Sequence, residues 1–160
     1  MEIGKNGPVL FWIEDRPVTV APQELILEQA GIPFHMYGTP SELTSVLSDL
    51  LTDAEIDKLR IGFIIDIMLF GVSDLRSLDI WDAPTGNGVH AGYVFVDRFL
   101  RKKDSRFLDK PVCFLTERTL DDELMQDVAK LQARSGGTIQ IIQKYKDSEL
   151  PKFRKFLEDI

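Results

Sequence analysis

The sequence predicts an α/β fold in which five parallel strands form a single sheet between two layers of helices. Three observations support this prediction: the chain contains five short apolar runs, helical segments separate them, and polar side chains follow four of the runs. Short apolar runs are typical of strands that are buried on both faces of a parallel sheet. Because crossovers between parallel strands are right-handed, we expect helices on both sides of the sheet.

The third apolar run is the predicted centre of the sheet, and it ends at Asp66. A carboxylate inside a buried strand would be costly, so Asp66 is expected at the carboxyl end, where the sheet opens to solvent. In open parallel sheets this edge is where ligands bind. The five strands are predicted at 9–13, 34–37, 61–65, 111–115 and 139–143.

Helices are predicted between the strands from capping signals and from apolar residues at helical spacing. The clearest start is Thr39, a cap that is followed by Pro40 and by Glu42 at the third helical position. Residues 52–55 repeat this pattern and predict a second short helix. Segment 70–88 lacks regular periodicity and is a long loop for its place. Further helices are predicted at 23–30, from Asn87 to about Lys103, at 121–133, and after a cap at Asp147 or Ser148.

Composition limits the classes of function that fit the chain. A net charge of −7 argues against a nucleic-acid-binding surface, which needs clustered Lys and Arg. The single cysteine, Cys113, lies in an apolar run, which predicts a buried, unreactive thiol and a reducing compartment. No apolar run approaches the length of a membrane span, and the first residues lack the apolar core of a secretion signal. We therefore expect a cytoplasmic protein without nucleic-acid partners or membrane insertion.

Polar groups follow four of the predicted strands: Glu14 and Asp15, Asp66, Thr116, and Lys144. In a doubly wound sheet of strand order 2-1-3-4-5, the first, third, fourth and fifth strands are contiguous. Their carboxyl ends would bring three carboxylates, a hydroxyl and an ammonium group into one pocket. Three carboxylates need a compensating cation, and Mg²⁺ is the most plausible because it prefers oxygen ligands.

This set of groups suits phosphoryl transfer. An aspartate that is held against Mg²⁺ is a possible nucleophile towards phosphorus. Thr116 and Lys144 would bind the non-bridging phosphoryl oxygens as their charge changes.

The strand-end motifs resemble the receiver domain of two-component response regulators, whose fold is flavodoxin-like. The matching segments cover most of the chain: 10–17 with its acidic pair, 66–69, 111–116, and Lys144. The resemblance implies that Asp66 accepts a phosphoryl group from the phosphohistidine of a sensor histidine kinase or phosphotransfer protein. It also implies that Asp15, Asp66 and the backbone carbonyl of Met68 ligate Mg²⁺, with Glu14 acting through water.

The resemblance further implies a stand-alone signalling domain rather than an enzyme. We expect one receiver over 1–160 with no output domain, which acts on a downstream protein target that the sequence does not identify. Its own chemistry would be limited to self-catalysed phosphoryl transfer and slow autodephosphorylation.

Four features depart from the receiver pattern. Glu117 stands where a small residue usually follows the threonine, and it is a bulky like charge beside the phosphoryl site. Tyr145 replaces the usual proline after the lysine, Ile141 replaces an aromatic switch residue, and segment 70–88 is longer than usual. The departures at Glu117, Ile141 and Tyr145 support a different interpretation, a degenerate receiver that binds proteins without being phosphorylated.

Two enzyme classes also place an aspartate at a strand end. Phosphatases of the haloacid dehalogenase type and Toprim-type nucleases need a second acid two residues later, where this chain has Met68. Neither class fits. Segment 70–88 has two interpretations: an insertion that is folded back on its own domain, or a lid or docking element at the rim of the pocket.

Overall fold

The computed structural model describes residues 7–52, 56–81, 83–117 and 119–160. All five predicted strands are present in one parallel sheet of order β2-β1-β3-β4-β5, as the sequence predicts. Every residue of β1, β3 and β4 is buried, which explains why these strands are continuous apolar runs. The strands are β1 Val9–Ile13, β2 Phe34–Tyr37, β3 Ile61–Ile65, β4 Val112–Thr116 and β5 Ile139–Gln143.

The described helices cover both faces of the sheet. They are α1 Ala21–Ala30, α2 Pro40–Leu51, α3 Ala91–Phe95 with a π-helical continuation Val96–Leu100, α4 Asp122–Ala133 and α5 Leu150–Glu158. α2, α3 and α4 pack on the face that carries Phe11, Phe63 and Phe114. α1 and α5 pack on the opposite face, where Trp12 and Cys113 lie.

Cys113 is fully buried, as predicted, and burial raises the pKa of its thiol far above the usual range. Among the described helices, none combines the length and apolar character that a membrane crossing requires.

Two predicted helix starts are confirmed and three need correction, including the start at Asn87. Thr39 caps α2 and its hydroxyl oxygen accepts a hydrogen bond from the Glu42 amide at 3.3 Å, while Asp121 caps α4 in the same way. α1 begins at Ala21 rather than Gln23, because Pro22 is tolerated in the first helical turn. The last helix follows a 3₁₀ turn over Asp147–Glu149 and lacks the predicted side-chain cap.

The predicted cap at Asn87 is wrong. Asn87 has a φ of 56° and belongs to a turn, and α3 begins four residues later. The amide of Gly92 donates to the carbonyl of Ile67 at 2.9 Å, and any Cβ at Gly92 would collide with the carbonyl of Asp66. This close approach of helix to strand sets where α3 starts, and the helical region ends at Leu100 instead of Lys103.

Residues 53–55 of the second predicted capping signal lie outside the described residues; a 3₁₀ turn, Ile56–Lys58, follows them.

Segment 70–88 is folded back on the domain. A hydrogen bond of 2.9 Å from the Leu69 amide to the Gly88 carbonyl closes its base. Within it, Leu75 and Ile80 form an isolated bridge and are buried in the core. Two large apolar side chains of this segment face solvent: Trp81, which is 70% exposed, and Phe70.

Candidate functional site

The carboxylates of Glu14 and Asp66 lie side by side at the carboxyl ends of β1 and β3. The Asp66 amide donates to the Ile13 carbonyl at 3.0 Å, which continues the pairing of the two strands beyond their last residues. Asp66 Oδ1 accepts from the Met68 amide at 3.1 Å, and Glu14 Oε1 accepts from the Arg16 amide at 2.9 Å. Only 1% of each residue is exposed. Because burial removes water from the two carboxylates, the backbone donors replace much of their lost hydration.

Lys144 joins these two carboxylates. Its Nζ lies 2.6 Å from Glu14 Oε2 and 2.7 Å from Asp66 Oδ2, and all three groups are buried. The ammonium group also donates to Thr19 Oγ1 at 3.3 Å, and the Lys144 carbonyl accepts from Gln23 Nε2 at 3.0 Å. Sequence reasoning missed Thr19 and Gln23, because a hydroxyl in a turn and an amide on a helix carry no distinctive signal.

Burial and charge shift the pKa values of this cluster. Burial, above all, raises the pKa of Glu14 to about 7, and it also raises the pKa of Asp66, while Lys144 opposes both shifts. The pKa of Lys144 is raised because the two carboxylates outweigh the strong lowering effect of burial. When Glu14, Asp15 and Asp66 are all ionised, they carry more negative charge than one ammonium group balances, which favours a second cation.

Asp15 adds a third carboxylate with one oxygen still available. Its Oδ2 accepts from the Phe70 amide at 2.9 Å, whereas Oδ1 is buried and has no hydrogen-bond partner among the described residues. Carboxylate oxygens of Glu14, Asp15 and Asp66 all lie within 4.8 Å of one another. An orphaned buried oxygen next to two further carboxylates fits a hard divalent cation such as Mg²⁺.

Thr116 and Met68 border the same cluster through their backbones. The Thr116 carbonyl accepts from the Lys144 amide at 2.8 Å, and its buried Oγ1 has no partner in the described part of the chain. The Met68 amide contacts Asp66. The structure thus brings together the five residues predicted at strand ends, with Met68 beside them, and their roles, including that of the Met68 carbonyl, stay predictions.

The rim of the pocket differs from what the sequence suggested. Glu117 was expected to act as a like charge beside the phosphoryl site, but Arg16 Nη2 lies 2.7 Å from its Oε1 and compensates it. The Tyr145 hydroxyl donates to the same oxygen at 3.2 Å, and the Arg16 guanidinium lies over the Phe70 ring at 5.0 Å. Two of the apparent departures, Glu117 and Tyr145, are therefore partners of each other.

The departure at Ile141 has a different structural explanation. Ile141 is partly buried against the core on the side of α2, α3 and α4, where it packs as an ordinary strand residue. Arg118, beside Glu117, lies outside the described residues.

Three solved structures share this architecture over 94% of the chain. A response regulator receiver protein from Burkholderia phymatum is 19% identical, with 95% of its chain covered and a TM-score of 0.54. The N-terminal domain of a response regulator receiver protein from Methanoculleus marisnigri JR1 is 16% identical, with 94% covered and a TM-score of 0.52. The chain has the receiver fold. The signal receiver domain of a modulated diguanylate cyclase from Desulfovibrio desulfuricans G20, described as an example of alternate folding, is also 16% identical, with 92% covered and a TM-score of 0.52.

The receiver fold is thus recognisable from structure at identities that sequence comparison does not detect. No protein-family model matches the chain, and no curated protein matches it.

Proposed function

We propose that this chain is a response regulator receiver that accepts a phosphoryl group on Asp66. The donor would be the phosphohistidine of a sensor histidine kinase or phosphotransfer protein, and the output would be contact with a downstream protein. The observation that carries the proposal is the position of Asp66 at the end of the central strand, between Lys144, Glu14 and Asp15. We also propose that residues 1–160 act as one receiver unit.

In the proposed reaction a carboxylate oxygen of Asp66 attacks phosphorus. The bond from phosphorus to the donor nitrogen breaks, its electron pair stays on the imidazole, and Asp66 becomes an acyl phosphate. In autodephosphorylation, a separate hydrolytic step, a water oxygen attacks the same phosphorus and the bond to Asp66 breaks. Inorganic phosphate leaves, the Asp66 carboxylate is restored, and the proton of water passes to phosphate or solvent.

The neighbouring side chains have distinct roles in this proposal. Lys144 would be released from part of its ion pairing when Asp66 is phosphorylated, and its ammonium group could then bind a phosphoryl oxygen. Thr116 Oγ1, which has no partner among the described residues, supplies a hydroxyl donor to a second oxygen. Glu14, Asp15 and Asp66 would hold Mg²⁺, which when bound offsets the negative charge that gathers on the phosphoryl oxygens.

Intact-mass analysis after incubation with acetyl phosphate and Mg²⁺ tests the proposal. The wild type should gain the mass of one phosphoryl group, and Asp66→Asn should gain none. Asp74→Asn is a matched control, since Asp74 is an exposed carboxylate on segment 70–88 that receives a hydrogen bond from the Arg76 amide. This control should be labelled as the wild type is. Equal labelling of the wild type and Asp66→Asn would contradict the assignment of Asp66, and no labelling of either would favour the phosphorylation-independent alternative.

A further inference from the structure

Four side chains that are not part of the phosphoacceptor cluster meet above it. We call Arg16, Glu117 and Tyr145 the clasp, and Phe70 is the ring on which the Arg16 guanidinium lies. The clasp is joined by the 2.7 Å ion pair between Arg16 and Glu117 and by the hydrogen bond of 3.2 Å from Tyr145 to Glu117. Each of the four residues comes from a different loop, after β1, β3, β4 or β5. The clasp therefore connects the loops after β1, β4 and β5, and the Phe70 ring adds the loop after β3.

Main-chain hydrogen bonds also link two of these four residues, Arg16 and Phe70, to carboxylates of the site. The Arg16 amide donates to Glu14 Oε1 at 2.9 Å, while its guanidinium binds Glu117. The Phe70 amide donates to Asp15 Oδ2 at 2.9 Å, while its ring lies beneath Arg16. Neighbouring carboxylates, including Asp15 and Asp66, contribute to the raised pKa of Arg16, after the larger effect of its hydrogen bond to Glu117. Arg16 therefore faces the acidic cluster from the rim.

The carboxylate of Asp66 is closed off in this arrangement. With 1% of Asp66 and 2% of Lys144 exposed, a phosphorus atom cannot approach an Asp66 oxygen in line unless side chains at the rim move. The side chains of Arg16, Glu117 and Tyr145 at this rim are bonded to one another, and these contacts involve no residue of β1, β3 or the core. Separating them would therefore change the rim without breaking the pairing of β1 and β3.

We propose that Arg16, Glu117 and Tyr145 determine how fast small phosphodonors and water reach Asp66, because the clasp has to open before either can react. This inference rests on the proposed phosphoacceptor function. Arg16 and Glu117 neutralise each other, so the barrier is the closed geometry and not repulsion of the donor by Glu117. Since the ion pair is partly exposed, its loss should accelerate labelling by only about fivefold.

Labelling rates of single and double variants with acetyl phosphate and Mg²⁺ test the clasp. Glu117→Gln removes the ion pair without a change in size, whereas Arg16→Gln removes it together with the contact of the guanidinium with Phe70. Both variants should be labelled about fivefold faster than the wild type. The double variant should be no faster than the faster single variant, because both changes break the same contact. After removal of the donor, the phosphorylated forms of these variants should also lose their label about fivefold faster.

The sign of the Arg16→Gln effect separates closed geometry from simple charge. If charge alone mattered, Glu117→Gln would accelerate labelling and Arg16→Gln would slow it, since acetyl phosphate is an anion. Opposite signs, or rates equal to the wild type, would overturn the clasp. Asp57→Asn is the control, because it breaks a surface ion pair of 3.2 Å with Arg106 near the amino end of β3 and should leave the rate unchanged.

The experiment also distinguishes this inference from the function on which it rests. Labelling of every variant at the wild-type rate would leave Asp66 as a phosphoacceptor and remove only the clasp. No labelling of the wild type or of any variant, even after long incubation, would overturn the proposed function and the clasp with it.

Discussion

Buried cations occur at both edges of the sheet, and their partners differ. At the carboxyl edge, Lys144 lies between two carboxylates, and its pKa is raised. At the amino edge, the two terminal nitrogens of Arg101 donate to the carbonyls of Phe107 and Lys110, each at 2.6 Å. The pKa of Arg101 is lowered to about 10, chiefly by burial. One cation is thus stabilised by charge, and the other is held against neutral dipoles.

The contrast shows how to separate a structural cation from a functional one. Arg101 and Lys110, whose Nζ donates to the Leu59 carbonyl at 3.1 Å, fix the turns that lead into β3 and β4. Their carbonyl partners carry no net charge, and the charged group that acts on Arg101 is Asp109. The Nε of Arg101 also has no hydrogen-bond partner among the described residues, so an orphaned atom alone does not mark a site. Around Lys144, orphaned buried oxygens of Asp15 and Thr116 occur together with a group of three carboxylates. An excess of charge together with orphaned oxygens indicates a binding site.

The largest expected effect is on stability at the amino edge. Arg101→Met should lower the free energy of unfolding by about 3 kcal/mol, because it leaves two buried carbonyls without these donors. Urea unfolding measures this loss. Lys102→Met is the control, since Lys102 is the exposed neighbour and should change stability by less than about 0.5 kcal/mol. If the folded fraction of Arg101→Met were labelled on Asp66 more slowly than the wild type, a change at the amino edge would alter the chemistry at the carboxyl edge.

At the carboxyl edge the expected effect is on chemistry. Lys144→Met should slow labelling by acetyl phosphate about a hundredfold, because it removes a charged donor to the phosphoryl oxygens. Intact-mass time courses give the rate, and circular dichroism of the same samples reports the fold. The exposed Lys146→Met should be labelled at the wild-type rate. An unchanged rate in Lys144→Met would place this ammonium group in the structural class of Arg101.

A pH profile sharpens the comparison further. Since burial raises the pKa of Glu14 to about 7, the folded protein keeps a proton that the unfolded chain releases near pH 4.5. Glu14 should therefore make stability fall as pH rises from about 4.5 to about 7, by something on the order of 2 kcal/mol, and have no further effect above that range. Urea unfolding of the wild type and Glu14→Gln between pH 5 and 8 measures the difference. A wild-type profile parallel to that of Glu14→Gln would contradict the shift.

The smallest expected effect is stabilisation by metal. Mg²⁺ at ten times its dissociation constant should stabilise the wild type by about 1.4 kcal/mol, which raises the melting temperature by about 3–6 °C. Asp15→Ala should lose this shift, since Asp15 supplies the orphaned oxygen. Asp74→Asn should keep it. The same shift in Asp15→Ala would mean that Mg²⁺ binds elsewhere.

The sequence predicted the sheet and the carboxyl-edge cluster because both leave local signals. Strands buried on both faces must be apolar throughout, and a polar residue that ends such a run marks the sheet edge. The buried Arg101 and Lys110 were not predicted, because they lie in the Lys- and Arg-rich stretch 98–110, which has the composition of a solvated surface. Their burial depends on carbonyls of neighbouring turns, which no side-chain pattern reveals.

The clasp shows a second limit of sequence reasoning. Arg16, Glu117 and Tyr145 are far apart in the chain, and two of them looked like separate departures from a pattern. Only the convergence of loops at one sheet edge makes them partners. The start of α3 was mispredicted for a similar reason: the contact of Gly92 with the Asp66 carbonyl overrides the local preference of Asn87 for a cap.

The hydrogen bond between Leu69 and Gly88 closes segment 70–88 into a loop at its base. This bond connects the chain just after β3 to the chain just before α3, so the spacing between Asp66 and α3 does not depend on the number of residues in the loop. Changes in the length of this segment can therefore be accommodated without displacing Asp66. For the same reason, the exposed Trp81 marks a place where an epitope or a fluorescent reporter can be grafted while the sheet and its carboxyl edge keep their geometry.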